Sequence, residues 1–360
     1  MKFIFLILAL IVIGISRAQL APFTDFNNYF KTFYKNSFRQ LEFQPVKFFE
    51  ATDNLIVYID FRGDFKLYDG EKVQVITNQE VQYKVSDNQL VCNIGPVLYH
   101  YTPKQEKKEL LTTFGREYFV TDSLVVYEDT RYNSVNVRSN GKNTVLYQLT
   151  GDIYLPEKIG DNTIVLKENG DLIKFFWNNQ FFEYAVYSRP IIFECGMNVI
   201  CFNDPINQSF AVFDKGTILD LEPMFAKNYK AGRDYVVYED QQGNLWHYKN
   251  GEKQQLSNFN VNSWDAVDDL VIWNENNMIY SFINNEKKML LNFTPKDFKM
   301  KNATFVFKNN FGGISVFQNG KITELTKQLD CKYYIYGNTV LVELFNQSFV
   351  VFDKGVRYEN

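Results

Sequence analysis

The chain is poor in the residues on which most enzyme chemistry depends. It has two histidines and four cysteines in 360 residues. His100 lies between Tyr99 and Tyr101, and His247 between Trp246 and Tyr248, so both read as structural. There is no His-x-x-x-His or Cys-x-x-Cys spacing, which leaves no ligand set for zinc. A Ser–His–Asp or Cys–His system would have to recruit one of these histidines, and no nucleophile motif accompanies either. A glycine-rich loop of the kind that cradles phosphate is also missing. No catalytic residue and no metal ligand is therefore assigned.

Excess basic charge is missing too. The net charge is −4, with no basic stripe, which argues against a nucleic-acid partner. The one long apolar run, Phe3 to Ile15, follows Lys2 and precedes Ser16-Arg17-Ala18. It is shorter than the roughly 20 residues that span a bilayer. Its charged start and small-residue end read as a secretory signal over residues 1–18, with Gln19 as the mature start. Removing Lys2 and Arg17 leaves 38 − 2 basic residues against 42 acidic ones, a charge of −6. The expectation is a secreted, periplasmic or cell-surface protein with no integral membrane span after cleavage. No cysteine follows the cut, so no lipid anchor is expected.

What the chain does have is a repeat. A turn pair such as Asp53-Asn54, Asp122-Ser123 or Arg233-Asp234 precedes an apolar run, as in Leu55–Tyr58, Leu124–Tyr127 and Tyr235–Tyr238. The first residues of these runs are Leu55, Leu90, Leu124, Thr163, Val199, Tyr235, Leu270, Thr304 and Thr339, spaced by 35, 34, 39, 36, 36, 35, 34 and 35. A second marker keeps step: Asp69-Gly70, Asn140-Gly141, Asn178-Asn179, Lys215-Gly216, Asn250-Gly251, Asn284-Asn285, Asn319-Gly320 and Lys354-Gly355. In the unit beginning at Leu90 a charged loop from Pro103 to Lys108 replaces it. A fixed period of this length is the signature of a repeat architecture.

The residue types explain the pattern. Asn-Gly and its relatives tolerate the positive φ of a two-residue hairpin turn. The apolar runs are rich in Val, Ile, Tyr and Phe, which suit a packed pleated surface. They show little alternation, as expected of strands covered on both faces. Each unit therefore reads as a four-stranded meander, strands a to d. Around Tyr235 these are Tyr229–Ala231, Tyr235–Glu239, Asn244–Tyr248 and Lys253–Leu256. A lone meander cannot bury both faces, but a closed ring of them can. The fold predicted for 19–360 is thus an all-β, single β-propeller. An open array is the alternative, and would need atypical capping units.

Nine anchors leave ring closure open, with eight, nine or ten blades all compatible. Residues 25–42 read as the second half of a unit, since Phe30–Asn36 parallels Phe349–Gly355. Aromatics at 26, 29, 30, 33 and 34 also fit an amphipathic helix. Lys35-Asn36, one period before Gly70, favours strands. Cys92 and Cys201 take the strand position filled elsewhere by Val57, Val126, Val165, Val237, Ile272, Val306 and Leu341. A thiol there acts as a small core hydrophobe. Cys195 and Cys201 flank one tight turn, and hairpin register decides whether they can form a disulfide.

In Asp122–Tyr127 and Gly243–Glu252 the units resemble a group of poorly characterised exported bacterial β-propeller-like repeat proteins. Their pattern is Asp-Asn-φ-Val-x-Tyr, then Gly-x-φ-x-Val-φ-x-Asn-Gly-Lys, with φ apolar. The units at Thr163, Val199 and Thr304 depart from it. The resemblance implies fold and export and supplies no catalytic positions.

Candidate binding residues lie in the b–c turns, which a ring gathers on one face: Asp60, Asp129, Glu168, Asp204, Asp240 and Glu275. Carboxylates there suit a cation such as Ca²⁺, though no specific motif supports it and no cofactor is assigned. They also suit a polar ligand, or a pair of carboxyls for glycoside hydrolysis. The plainer reading is that Asp, Asn and Glu shape the turns. Arg62-Gly63-Asp64 fits the same b–c turn, aligned with Gly170-Asp171 and Gly243-Asn244, so an adhesion motif is not needed to explain it. Asn207, Asn292, Asn302 and Asn346 begin glycosylation sequons, which matter only in a eukaryotic secretory host. Three functions follow in order: a non-catalytic binding or scaffold protein with an unidentified protein or glycan partner, a structural or adhesive surface component, and a carbohydrate-active enzyme.

Overall fold

The computed structural model describes residues 19–103, 108–148, 155–168 and 170–360. The segment read as a signal, 1–18, and most of the Pro103–Lys108 loop lie outside the described residues. Among the described residues there are strands and turns and no helix.

Among the described residues the strands form ten antiparallel sheets, nine of four strands and one of three. Blade 1 spans 21–42, blade 2 48–77, blade 3 82–112, blade 4 115–148 and blade 5 158–186. Blades 6 to 10 span 193–222, 228–255, 263–291, 298–326 and 332–359. In every four-stranded sheet the spatial order is the chain order, a-b-c-d. Blade 7 has strands at Asn228–Ala231, Tyr235–Glu239, Leu245–Lys249 and Glu252–Gln255, within one residue of the expected bounds.

Blade 1 settles the count. Its strands are Ala21–Thr24, Phe30–Tyr34 and Ser37–Glu42, so residues 25–42 carry strands c and d and no helix. Strand b is the part that the repeat pattern does not show. Leu20, one period before Leu55, is a tenth anchor and is fully buried. Pro22 stands where Val57 stands in blade 2 and pairs with Thr32 of strand c. The amide of Thr52 donates to Leu55 O, which directs alternate backbone groups of strand b, and hence position 22, toward strand a. Proline is tolerated there because among the described residues strand b is the edge of this sheet.

Strand b shows why the apolar runs do not alternate. Leu55 and Val57 pack with Leu90 and Cys92 of blade 3, while Ile56 and Tyr58 pack with Phe30 and Tyr34 of blade 1. The same interleaving recurs at each of the ten blade boundaries. The tenth boundary closes the ring: Ala21, Phe23 and Phe33 meet Leu341, Phe349 and Val351. The architecture is therefore a closed propeller and not an open array.

The c–d turns have the conformation their residues imply. Asn250 and Gly251 have φ of 50° and 85°, and Asn319 and Gly320 of 50° and 75°. The sulfurs of Cys195 and Cys201 are unbridged. Glu194 pairs with Cys201, and Cys195 pairs with Ile200. The two side chains thus project from opposite faces of the sheet, Cys195 toward blade 5 and Cys201 toward blade 7. That register rules out the bridge considered from sequence.

Candidate functional site

The meander puts b–c turns and d–a connections on one face and a–b and c–d turns on the other. On the first face the six predicted carboxylates are each committed locally. Asp60 Oδ1 accepts from the amides of Gly63 and Asp64 at 2.9 Å, and Oδ2 lies 2.8 Å from Lys66 Nζ. Burial opposes the Asp60 charge, but the Lys66 ammonium and these amides outweigh it and hold the pKa below the ordinary value. Asp240 accepts from the Asn244 amide at 2.8 Å and from Trp246 Nε1 at 2.8 Å, with the same net effect. Asp204 takes the amides of Ile206 and Asn207. Asp129 takes the Arg131 amide and the Thr112 hydroxyl. Glu168 pairs with Lys174 at 2.9 Å. Glu275 accepts from the amides of Asn258 and Phe259 and from Trp273 Nε1. These contacts shape the b–c turns and, for Asp129 and Glu275, tie them to strand d of the preceding blade or to the d–a connection. Among the described residues no three His, Cys, Asp or Glu side chains are grouped to hold a metal ion.

The convergent polar groups are on the opposite face, in the a–b turns. Each turn reaches the next blade. The Asp53 amide donates to Asp87 Oδ1 at 2.8 Å, and the Asp87 amide to Asp122 Oδ1 at 2.7 Å. Thr121 and Ser123 donate to the carbonyl and carboxylate of Asp161. Asn162 and Asn198 bond each other, and Asn198 Nδ2 donates to Asp234. Arg233 pairs with Asp268 and Asp269, and the Asn302 amide donates to Asp268. Thr304 donates to Asn338, whose amide donates to Gln19, and the Leu20 amide donates to Asp53 O. The chain of contacts thus runs through all ten blades.

The turns of blades 2 to 8 line an open central cavity of about 510 Å³. Strand a and its a–b turn supply the wall from blades 3 to 7, with Thr52 and Asp268 from blades 2 and 8. Asp87, Asp122 and Asp161 line it from blades 3 to 5 and Arg233 from blade 7, among apolar groups that include Phe119 and Met197. Burial, then the charges of Asp87 and Asp161, push the Asp122 pKa up to about 6. Burial likewise raises that of Asp161. Backbones crowd along this wall: a Cβ on Gly196 would run into the Gly232 carbonyl oxygen.

Neither histidine joins the site. His100 bonds Gln89 Oε1 at 2.8 Å within blade 3. His247 is stacked on Tyr235 and tilted against Phe282, and burial, then Lys249, lower its pKa to about 4.

The family described as a 10-bladed beta propeller domain matches residues 15–358. The chain belongs to that family. No curated protein matches it. Among solved structures, the computationally designed Ika8 protein is 12% identical, with 93% of this chain and 99% of that chain covered and a TM-score of 0.37. Hsv2p of Kluyveromyces lactis is 10% identical, with 69% and 97% covered and a TM-score of 0.31. The ring of a–b turns described above is thus a feature of a ten-bladed member. Its signal in the sequence is the recurrent Asp-Asn pair, which by itself reads as a turn former.

Proposed function

We propose that this propeller is an exported, non-catalytic binding or scaffold protein that takes a small polyhydroxylated ligand, such as the end of a glycan, in its central cavity. The observation that carries this is the cavity itself. Its volume falls in the range of ligand pockets, about 300–1,000 Å³. Asp122 and Asp161 offer acceptors for hydroxyls, and Phe119, 38% exposed, offers a ring face. Export and placement in the periplasm, at the cell surface or in the medium rest on the sequence of residues 1–18.

The test is thermal shift and array binding of residues 19–360 against glycans and peptides, with and without Ca²⁺. A glycan hit lost in Asp122→Asn or Asp161→Asn, and kept in Asp60→Asn or Asp129→Asn, supports the cavity. The reverse pattern moves binding to the b–c turns.

A second reading, a structural or adhesive component, is favoured by the sidedness of exposed apolar groups. Phe26, Phe61, Tyr132, Ile206, Phe311 and Phe345 project from b–c turns. Among the described residues no a–b or c–d turn carries such a group. Large exposed apolar surface marks interaction sites. Self-association lost in a Phe61, Phe311 and Phe345 to Ser variant would support it.

A further inference from the structure

The contacts between a–b turns join ring neighbours, with one departure. Lys301, in blade 9, lies 2.5 Å from Asp53 Oδ1 of blade 2 and 3.3 Å from Asp87 Oδ1 of blade 3. Beside it, Asn302 Nδ2 donates to Asp53 Oδ2 at 3.0 Å, across 249 residues of chain. Blades 10 and 1 lie between these partners in the ring order. Blade 9 thus meets blade 2 directly, past blades 10 and 1.

Two carboxylates share this one ammonium. Burial opposes the Lys301 charge, but Asp53 and Asp87 outweigh it and raise its pKa. Burial and the Asp87 charge raise that of Asp53 in spite of Lys301. The three groups are partly withdrawn from water, with side-chain exposures of 29%, 10% and 24%. Removing one member of such a cluster leaves the others buried without compensation.

We propose that Lys301 is a clasp that closes the opening of a ten-bladed ring down to a ligand-sized cavity, and so sets the size of ligand admitted. The cavity wall includes Thr52, Asp87 and Asp268. These flank the clasp, so its contacts bound the cavity on the side where, among the described residues, blades 9, 10 and 1 contribute no wall residue. The part about ligand size rests on the cavity being the binding site; the closure itself does not.

Cys195 supplies a native reporter. Its side chain packs between blades 5 and 6, but among the described cysteines it alone reaches the cavity wall. Burial raises the Cys195 thiol pKa, so labelling is slow and an acceleration is easy to read. The experiment compares modification of Cys195 in residues 19–360 by a small maleimide and by a bulky polyethylene-glycol maleimide, with mass spectrometry of the labelled peptide. In Lys301→Met the bulky reagent should react about tenfold faster, the ratio given by ~1.4 kcal/mol of lost closure, while Lys301→Arg keeps the wild-type rate. Equal rates in Lys301→Met and wild type, with matching circular dichroism, overturn the clasp. If Lys301→Met does not fold, the Asp53→Asn, Asp87→Asn double variant is read by the same criterion. Labelling needs no ligand: a rate change with no ligand found keeps the clasp and removes the binding reading, and an unchanged rate with a glycan bound does the opposite.

Discussion

The amide of Asp87 donates to the Asp122 carboxylate at 2.7 Å across a blade boundary, 35 residues along the chain. One repeat unit thereby fixes the next through the turn that marks the repeat. The contact also buries an acid between two others, Asp87 and Asp161.

Asp122 should make the fold less stable as pH rises. Its pKa is about 6 in the folded protein against an ordinary 3.8. Between those values the native state holds more protons than the unfolded chain, so stability falls as pH climbs from about 4 to about 6. Asn keeps an acceptor for the Asp87 amide and carries no charge. Asp122→Asn should match wild type near pH 4 and exceed it at pH 7 by about 1–2 kcal/mol, a value discounted for solvent screening. Denaturant titrations at the two pH values decide this, and a constant difference contradicts it.

His247 works in the opposite sense. Its folded pKa of about 4 lies below the ordinary 6.5. The unfolded chain binds the extra proton in that window, so stability is lost as pH falls from about 6.5 to about 4. His247→Phe, placed in the same slot between Tyr235 and Phe282, should remove about 2–3 kcal/mol of that acid loss. The check is the pH dependence of the melting midpoint, with the imidazole titration followed by NMR.

The b–c turn carboxylates should prove to be stabilisers. Asp240→Ala strips acceptors from the Asn244 amide and from Trp246 Nε1. It should cost about 2–3 kcal/mol, as for hydrogen bonds to a charged group. Binding of any cavity ligand should be unchanged when measured well below the melting temperature.

These residues show what was readable beforehand. Strand b and the c–d turns were legible because their signals are local: Val-Val-Tyr for a doubly covered strand, and Asn-Gly for positive φ. Blade 1 was only half legible, since Leu20-Ala-Pro-Phe-Thr24 lacks the Val/Ile run and Pro22 argues against a central strand. The b–c acids gave an ambiguous signal, because Asp is equally suited to capping a turn and to holding a ligand. The Asp53–Asp87–Asp122 succession was visible as a repeat, but its reach into the neighbouring blade depends on how the blades stack. Lys301 carried no signal at all, because its partners are defined only once the ring closes.

Two glycine substitutions separate backbone conformation from crowding. Gly251 has φ of 85° and open space where a methyl group would project, with nothing within 4 Å. Gly251→Ala should cost about 1 kcal/mol, the left-handed penalty alone. Gly196 has no positive φ, yet a Cβ there meets the Gly232 carbonyl. Gly196→Ala should cost about 1–3 kcal/mol through forced backbone shifts and should also narrow the cavity, since Gly196 and Gly232 both line it. A cavity left unchanged in Gly196→Ala, with a loss no larger than that of Gly251→Ala, would contradict the crowding argument.

Ring closure itself is open to a double-mutant cycle. Phe23 and Phe349 have ring centroids 4.5 Å apart, joining the first and last blades. Phe23 is 2% exposed and Phe349 6%. Each truncation to Ala should cost about 3–5 kcal/mol if the ring is closed in solution, as for other buried phenylalanines. Their coupling should be about 0.5–1.5 kcal/mol, the increment of an aromatic pair beyond its buried area. In an open array the two residues would sit on opposite ends, each half-covered, and the coupling would vanish. Phe175 and Phe213, 5.2 Å apart at the boundary of blades 5 and 6, give the reference. Their coupling survives whether or not the ends meet, so a normal value there with none at Phe23–Phe349 would mean that the terminal blades do not close the ring.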